Sequence, residues 1–177
     1  NVIVVGAQGY ATEANAFDDT YVDEHSETAV KLDGASGAVL WSWTASSLGS
    51  EVDVLFAVAT DSNNDVVMGG RTEGYWSSSS PDNVAHMAAV KIDGSTGNEI
   101  WRYQKHAPDS STSWGLMNPS AGSVSGVAVD GDDNCLLVGQ TYGNLVYRDG
   151  GQAADSDFFV IKLDGTDGSQ IWTIHGG

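Results

Sequence analysis

The chain is predicted to be all-β and built from one repeated unit of short antiparallel strands, on three observations. Nearly the same eleven residues occur three times: KLDGASGAVLW at 31–41, KIDGSTGNEIW at 91–101 and KLDGTDGSQIW at 162–172. Asp33 and Asp93 lie 60 residues apart, and Asp93 and Asp164 lie 71 apart, which suits one structural unit plus insertions. Around these segments, runs of Val, Ile and aromatic residues of strand length alternate with turns rich in Gly, Asp and Asn.

The second unit, about 54–123, reads as four strands: VLFAVAT (54–60), VVMGGRT (66–72), AAVKID (88–93) and EIWRYQ (99–104). The third, about 124–177, supplies VSGVAVD, CLLVGQT, FFVIKLD and SQIWTI. The first, about 1–53, supplies NVIVVG, TAVKLD and VLWSWT and lacks a leading strand, so eleven strands are expected in a single repeat domain spanning 1–177. The chain begins at Asn1 rather than Met, at a position that reads as the inside of a hairpin turn, which fits processing or a longer polypeptide.

Each third-to-fourth turn is Asp-Gly-x-x-Gly: Asp33, Gly34 and Gly37; Asp93, Gly94 and Gly97; Asp164, Gly165 and Gly168. Glycine accommodates positive φ there, and the Asp carboxylate can accept the backbone N–H groups just ahead. A tryptophan four residues after the second glycine, Trp41, Trp101 or Trp172, brings a large flat apolar surface to the same place in every unit. Three in register point to packing of one unit on the next rather than to ligand stacking.

The second copy has Ala89, Lys91, Asp93, Thr96, Gly97 and Trp101 in a spelling that resembles β-propeller repeats of the quinoprotein-like and bacterial seven-bladed type. Ser36 and Asp167 depart from it at the Thr position. The turns DSNND at 61–65 and DGDDN at 130–134 resemble the Asp-x-x-Gly-Asn hairpins of the same families. Kelch repeats fit less well because Gly69-Gly70 has no counterpart elsewhere. A sialidase Asp-box places its aromatic nearer the Asp, and the Gly-His and Trp-Asp signatures of WD repeats are missing. The resemblance implies four-stranded antiparallel blades, about three of them visible. It marks architecture and not activity. Propellers close with four to eight blades, so these units belong to a larger propeller or to an open assembly. Either further repeats of the same polypeptide or self-association with neighbouring copies would complete it.

Of 177 residues, 41% are apolar and 18% charged, as expected of a folded domain. The apolar runs are too short to cross a bilayer, so no membrane insertion is expected. With a net charge of −17 and only seven Lys and Arg, nucleic acid is not an expected partner. Abundant Gly, Ser, Thr and Asp with little Lys suits an extracellular or cell-surface protein. Cys135 has no second cysteine to pair with and lies among apolar residues, which predicts a packing role.

Long insertions are expected at 9–27, 73–87 and 142–157, with blade connections at 45–53 and 105–123, gathered on one face. They carry Tyr10, Tyr21, Tyr75, Trp76, Trp114, Tyr142 and Tyr147 among carboxylates. Such a face suits glycan or extracellular protein contacts, while the plainer reading is that the rings pin loops to blades. Ser77–Ser80 and Ser110–Ser113 are candidate sites of O-linked sugar. On the opposite face, Asp61, Asn63 and Asp65, and Asp130, Asp132 and Asn134, alternate oxygen ligands as a weak calcium site would. Neither has the distal bidentate Glu of a full calcium loop, and ordinary acidic turns explain both.

His25, His86, His106 and His175 show no metal-binding spacing, and no nucleophile elbow or phosphate loop is present, so catalytic residues are not expected. The function expected is a non-enzymatic scaffold assembling through blade edges, as in a filament or surface layer, and presenting a loop face. One alternative is a fragment of a quinoprotein-like dehydrogenase, for which the resemblance implies pyrroloquinoline quinone and calcium. A lone Cys135 cannot supply the adjacent cysteine pair of many such enzymes. A glycan-binding module is the other alternative.

Overall fold

Eleven β-strands account for most of the described chain, and no helix occurs among the described residues. The computed structural model describes residues 1–10, 24–45, 53–72, 86–105, 122–141 and 157–176. The strands are β1 (Val2–Tyr10), β2 (Glu24–Leu32), β3 (Val39–Thr44), β4 (Val54–Thr60), β5 (Val66–Thr72), β6 (His86–Ile92), β7 (Glu99–Lys105), β8 (Gly122–Val129), β9 (Cys135–Thr141), β10 (Asp157–Leu163) and β11 (Gln170–Gly176).

They form three antiparallel sheets in sequence order: β1-β2-β3, β4-β5-β6-β7 and β8-β9-β10-β11. The first sheet has three strands, and the edge of β1 where its counterparts β5 and β9 pair with β4 and β8 carries no described strand. The hairpins that follow β4 and β8 are tight because Asn64 and Asp133 adopt φ of 64° and 62°, a left-handed conformation that Asn and Asp tolerate best among residues with a side chain.

Two kinds of register shift shape each sheet. One falls in the leading strands, between Leu55 and Ala57 and between Val124 and Gly126. The other falls where the third strand meets the fourth, at Lys31/Leu32, Lys91/Ile92 and Lys162/Leu163. The second shift sets Lys31 opposite Trp41, Lys91 opposite Trp101 and Lys162 opposite Trp172, and leaves Leu40, Ile100 and Ile171 turned out to solvent.

Strand alternation gives every sheet two faces, and the core lies between sheets rather than within one. Ala29, Trp41, Ile3, Val5 and Trp43 of the first sheet pack on Leu55, Val66, Met68, Ala88, Val90 and Ile92 of the second. The opposite face of the second sheet, with Val67, Met87, Ala89 and Trp101, packs on Val124, Cys135, Leu137, Phe159, Ile161 and Leu163 of the third. The leading strand of each following sheet is the closest element across the seam: β4 lies against β1 and β2, and β8 against β4, β5 and β6. Cys135 is fully buried in this core, and burial pushes its thiol up to about 11.

The insertions are shorter than the residue pattern implies. β1 runs to Tyr10 and pairs it with Glu24, so Gly9, Tyr10 and the segment from Glu24 to Glu27 belong to a hairpin rather than to a loop. His86, Met87 and Asp157 are likewise strand residues. Backbone pairing reaches further than the apolar runs, and the polar residues Glu27 and His86 at these strand ends are themselves buried.

Candidate functional site: the seam between sheets

The site is built on the Asp-Gly-x-x-Gly turns, each organised by its own carboxylate. Asp93 Oδ1 accepts the N–H groups of Ser95 and Thr96, both at 2.8 Å; Asp33 Oδ1 accepts those of Ala35 and Ser36 at 3.1 and 2.8 Å. Asp164 Oδ1 accepts the Thr166 N–H at 2.7 Å. The Thr96 N–H beside Asp93, and the Ser36 N–H beside Asp33, hold those carboxyls below the usual carboxylate range.

The two glycines of the turn serve different ends. Gly37, Gly97 and Gly168 adopt φ of 71°, 77° and 74°, as the turn chemistry predicts. Gly94 and Gly165 are needed for close approach: a Cβ there would stand 1.7 Å from Asn64 O and 1.8 Å from Asp133 O. The first-to-second and third-to-fourth turns thus touch at the same end of the second and third sheets, and Asp65 Oδ1 accepts the Gly94 N–H at 3.0 Å.

Across each seam a lysine and a tryptophan converge on one carbonyl. Trp41 Nε1 donates to Gly94 O at 3.0 Å, and Lys31 Nζ donates to the same atom. One sheet further on, Trp101 Nε1 donates to Gly165 O at 3.1 Å and Lys91 Nζ at 2.7 Å. The rings also lie close against the turns they reach. A Cβ on Gly97 would meet Trp41 Cγ at 3.1 Å, and one on Gly168 would meet Trp101 Cδ2 at 2.8 Å. Trp41 and Trp101 are buried; Trp172, with no described sheet beyond it, is 36% exposed.

The calcium candidates fall beside this latch. Asp61 Oδ1 accepts the N–H groups of Asn63 and Asp65 at 2.9 Å each, and Asp61 Oδ2 lies 2.7 Å from Lys91 Nζ in an ion pair without hydrogen-bond alignment. Asp130 repeats this, holding the N–H groups of Asp132 and Asn134 at 2.9 and 3.0 Å and Lys162 Nζ at 2.7 Å. The leading carboxylate of each set is therefore engaged by backbone and lysine. Among the described residues no group of three or more His, Cys, Asp or Glu is placed to hold a metal ion.

A polar cleft of about 430 Å³ opens over the second seam, between Asn63, Asp65 and Lys91 on one side and Asp132, Asp133 and Asp164 on the other. Ser62 bridges the same seam, donating its N–H to Asp133 Oδ1 at 2.9 Å and its hydroxyl to Oδ2 at 2.5 Å. The Ser62 hydroxyl, followed by its N–H, lowers the Asp133 carboxyl. At the other end, Tyr103 Oη and Lys105 Nζ both donate to Gln170 Oε1, at 3.0 and 2.7 Å.

The first seam also holds an acid that the repeat motif does not announce. Glu27 is fully buried and neither carboxylate oxygen has a hydrogen-bond partner. Burial raises its carboxyl well above the ordinary range, and the buried Asp53 carboxylate raises it further. Its signal is visible in the alignment of units. Glu27 stands four residues before Lys31, where the other copies have Met87 and Phe158.

Tyr21, Tyr75, Trp76, Trp114, Tyr142, Tyr147 and the side chain of Tyr10 lie outside the described residues, as do the serine runs 77–80 and 110–113. No protein-family model matches the chain, and no curated protein is significantly similar to it.

Proposed function

We propose that the chain is a non-enzymatic structural scaffold, extracellular or at a cell surface, whose three sheets act as propeller-type blades. The carrying observation is that its recurring residues join sheet to sheet. Lys and Trp of one unit grip the turn carbonyl of the next, and the Asp and Gly of that turn exist to present it. Blade character is supported by the up-and-down antiparallel order, the packing through sheet faces and the leading strand innermost at each seam. A stack joined face to face in this way grows by repetition, as filaments and surface layers do.

Electron microscopy of negatively stained protein from its native source tests the reading. Filaments or sheets are expected. Isolated particles of a single chain would contradict assembly through sheet faces, and dye-linked oxidation of alcohols or sugars on adding pyrroloquinoline quinone and calcium would contradict the non-enzymatic part.

A further inference from the structure

We infer that the free face of the third sheet docks the free face of the first sheet of a second copy of this chain, head to tail, by the same latch that joins the sheets internally. The inference rests on the scaffold reading and names its surfaces and partner.

Each chain carries both halves of the latch, one at either end. At the third sheet, the residues that correspond to Met87, Ala89 and Trp101, which the next sheet covers, are Phe158, Val160 and Trp172. Phe158 is 57% exposed and Trp172 36%, against 0% and 6% for Met87 and Trp101. Among the described residues Trp172 Nε1 makes no hydrogen bond. Lys162 makes the pair with Asp130 that Lys91 makes with Asp61, but not the further bond that Lys91 gives to Gly165 O.

The first sheet offers the acceptor half. Gly34 stands where Gly94 and Gly165 stand, exposed, and a Cβ on Gly37 would meet nothing within 4 Å where those on Gly97 and Gly168 meet a tryptophan. Its outer face carries Val2 and Val4, 50% and 51% exposed, in the positions of the buried Val66 and Met68. Two surfaces that correspond to the two sides of one internal seam are complementary to each other but not to themselves, so the contact is heterologous and adds copies head to tail, into a ring where its rotation closes and into an open stack where it does not.

Two features weaken this contact relative to the internal seams. The first sheet has no described leading strand, and the described strands of a second copy leave unfilled the apolar groove of about 480 Å³ beside Val138, Phe158 and Val160, the place that β8 takes on the preceding sheet. Each copy also bears a net charge of −17, so association strengthens as salt screens the repulsion.

Sedimentation velocity of the chain and of two variants tests this. Trp172→Ala removes the donor half from an exposed position. Gly37→Asn fills the acceptor half; Asn tolerates the φ of 71° and meets nothing in the isolated chain. Circular dichroism monitors the fold of both. The wild type is expected to exceed 18.5 kDa as concentration rises to about 1 mM, more so at high salt, while each variant alone stays at that mass. Mixing the variants pairs one intact half from each, and a species of twice the monomer mass that grows no further is expected. A wild type that remains monomeric, variants that associate like the wild type, or a mixture without the capped pair would each overturn the inference. Native filaments with variants that still associate would overturn the latch and leave the scaffold reading standing.

Discussion

Lys91 and Trp101 stand directly opposite each other on β6 and β7 and donate to the same oxygen, Gly165 O, at 2.7 and 3.1 Å. Neither residue alone explains the other's placement. The register shift at Lys91/Ile92 is what brings the indole level with the ammonium, and a carbonyl with two lone pairs can accept both. Because Lys31 and Trp41 repeat the arrangement on Gly94 O, the shift is part of the recurring unit rather than a local irregularity.

The lysines should differ in weight by position. Lys91→Met strips a buried Asp61 of its ion pair, whose side chains are 6% and 0% exposed, and is expected to cost about 3–5 kcal/mol. For a chain of this size that is on the order of 10 °C in Tm. Lys162→Met breaks the partly exposed counterpart with Asp130, whose side chains are 21% and 25% exposed, and is expected to move Tm less. Thermal unfolding of the two variants side by side checks the contrast.

Glycine spacing gives a second contrast at equal backbone strain. Gly97→Asn places a Cβ 3.1 Å from the Trp41 ring, whereas Gly37→Asn, at nearly the same φ, meets open space. Urea titration should show the first variant less stable than the second by about 1–3 kcal/mol, the usual scale of overpacking. Equal midpoints would mean that the ring does not lie on the turn.

Stability is expected to peak in mild acid. Glu27 has its carboxyl raised by burial above 4.5, so the folded state takes up the proton first and gains stability as pH falls through that raised value. Asp33, Asp93, Asp130 and Asp133 have carboxyls lowered below 3.8 by hydrogen bonds, so their contribution is present above that value and is lost as pH falls below it. Tm should therefore rise from pH 7 towards about pH 4–5 and fall beyond it. Glu27→Gln should raise Tm at pH 7 and flatten the upper limb of the profile.

Calcium should leave stability unchanged if the acidic turns are only turns. Asp61 and Asp130 already satisfy backbone N–H groups and lysines, and a cation would have to displace them. Calorimetric scans with chelator and with millimolar calcium should coincide; a rise in Tm would show that the turns rearrange around the ion.

Much of this was legible before any coordinates, because the signals are local and repeated. The eleven described strands, the Asp-Gly-x-x-Gly turns and a first sheet of three described strands follow from pattern and spacing. What spacing cannot convey is partnership across a seam. That Trp41 reaches Gly94 O, 53 residues away, depends on which sheet stacks on which. The role of Gly94 likewise comes from the approach of Asn64 O and not from its own torsion. Glu27 was readable only by aligning the units, since a lone Glu in a strand that ends polar attracts no notice.

The latch itself can be observed through the indole protons. In a 15N-labelled sample of the monomeric Gly37→Asn variant, hydrogen exchange of the tryptophan Nε1–H groups should be strongly slowed at Trp41 and Trp101, which donate across seams, and fast at the exposed Trp172. Fast exchange at Trp41 and Trp101, or protection at Trp172 equal to theirs, would contradict the account.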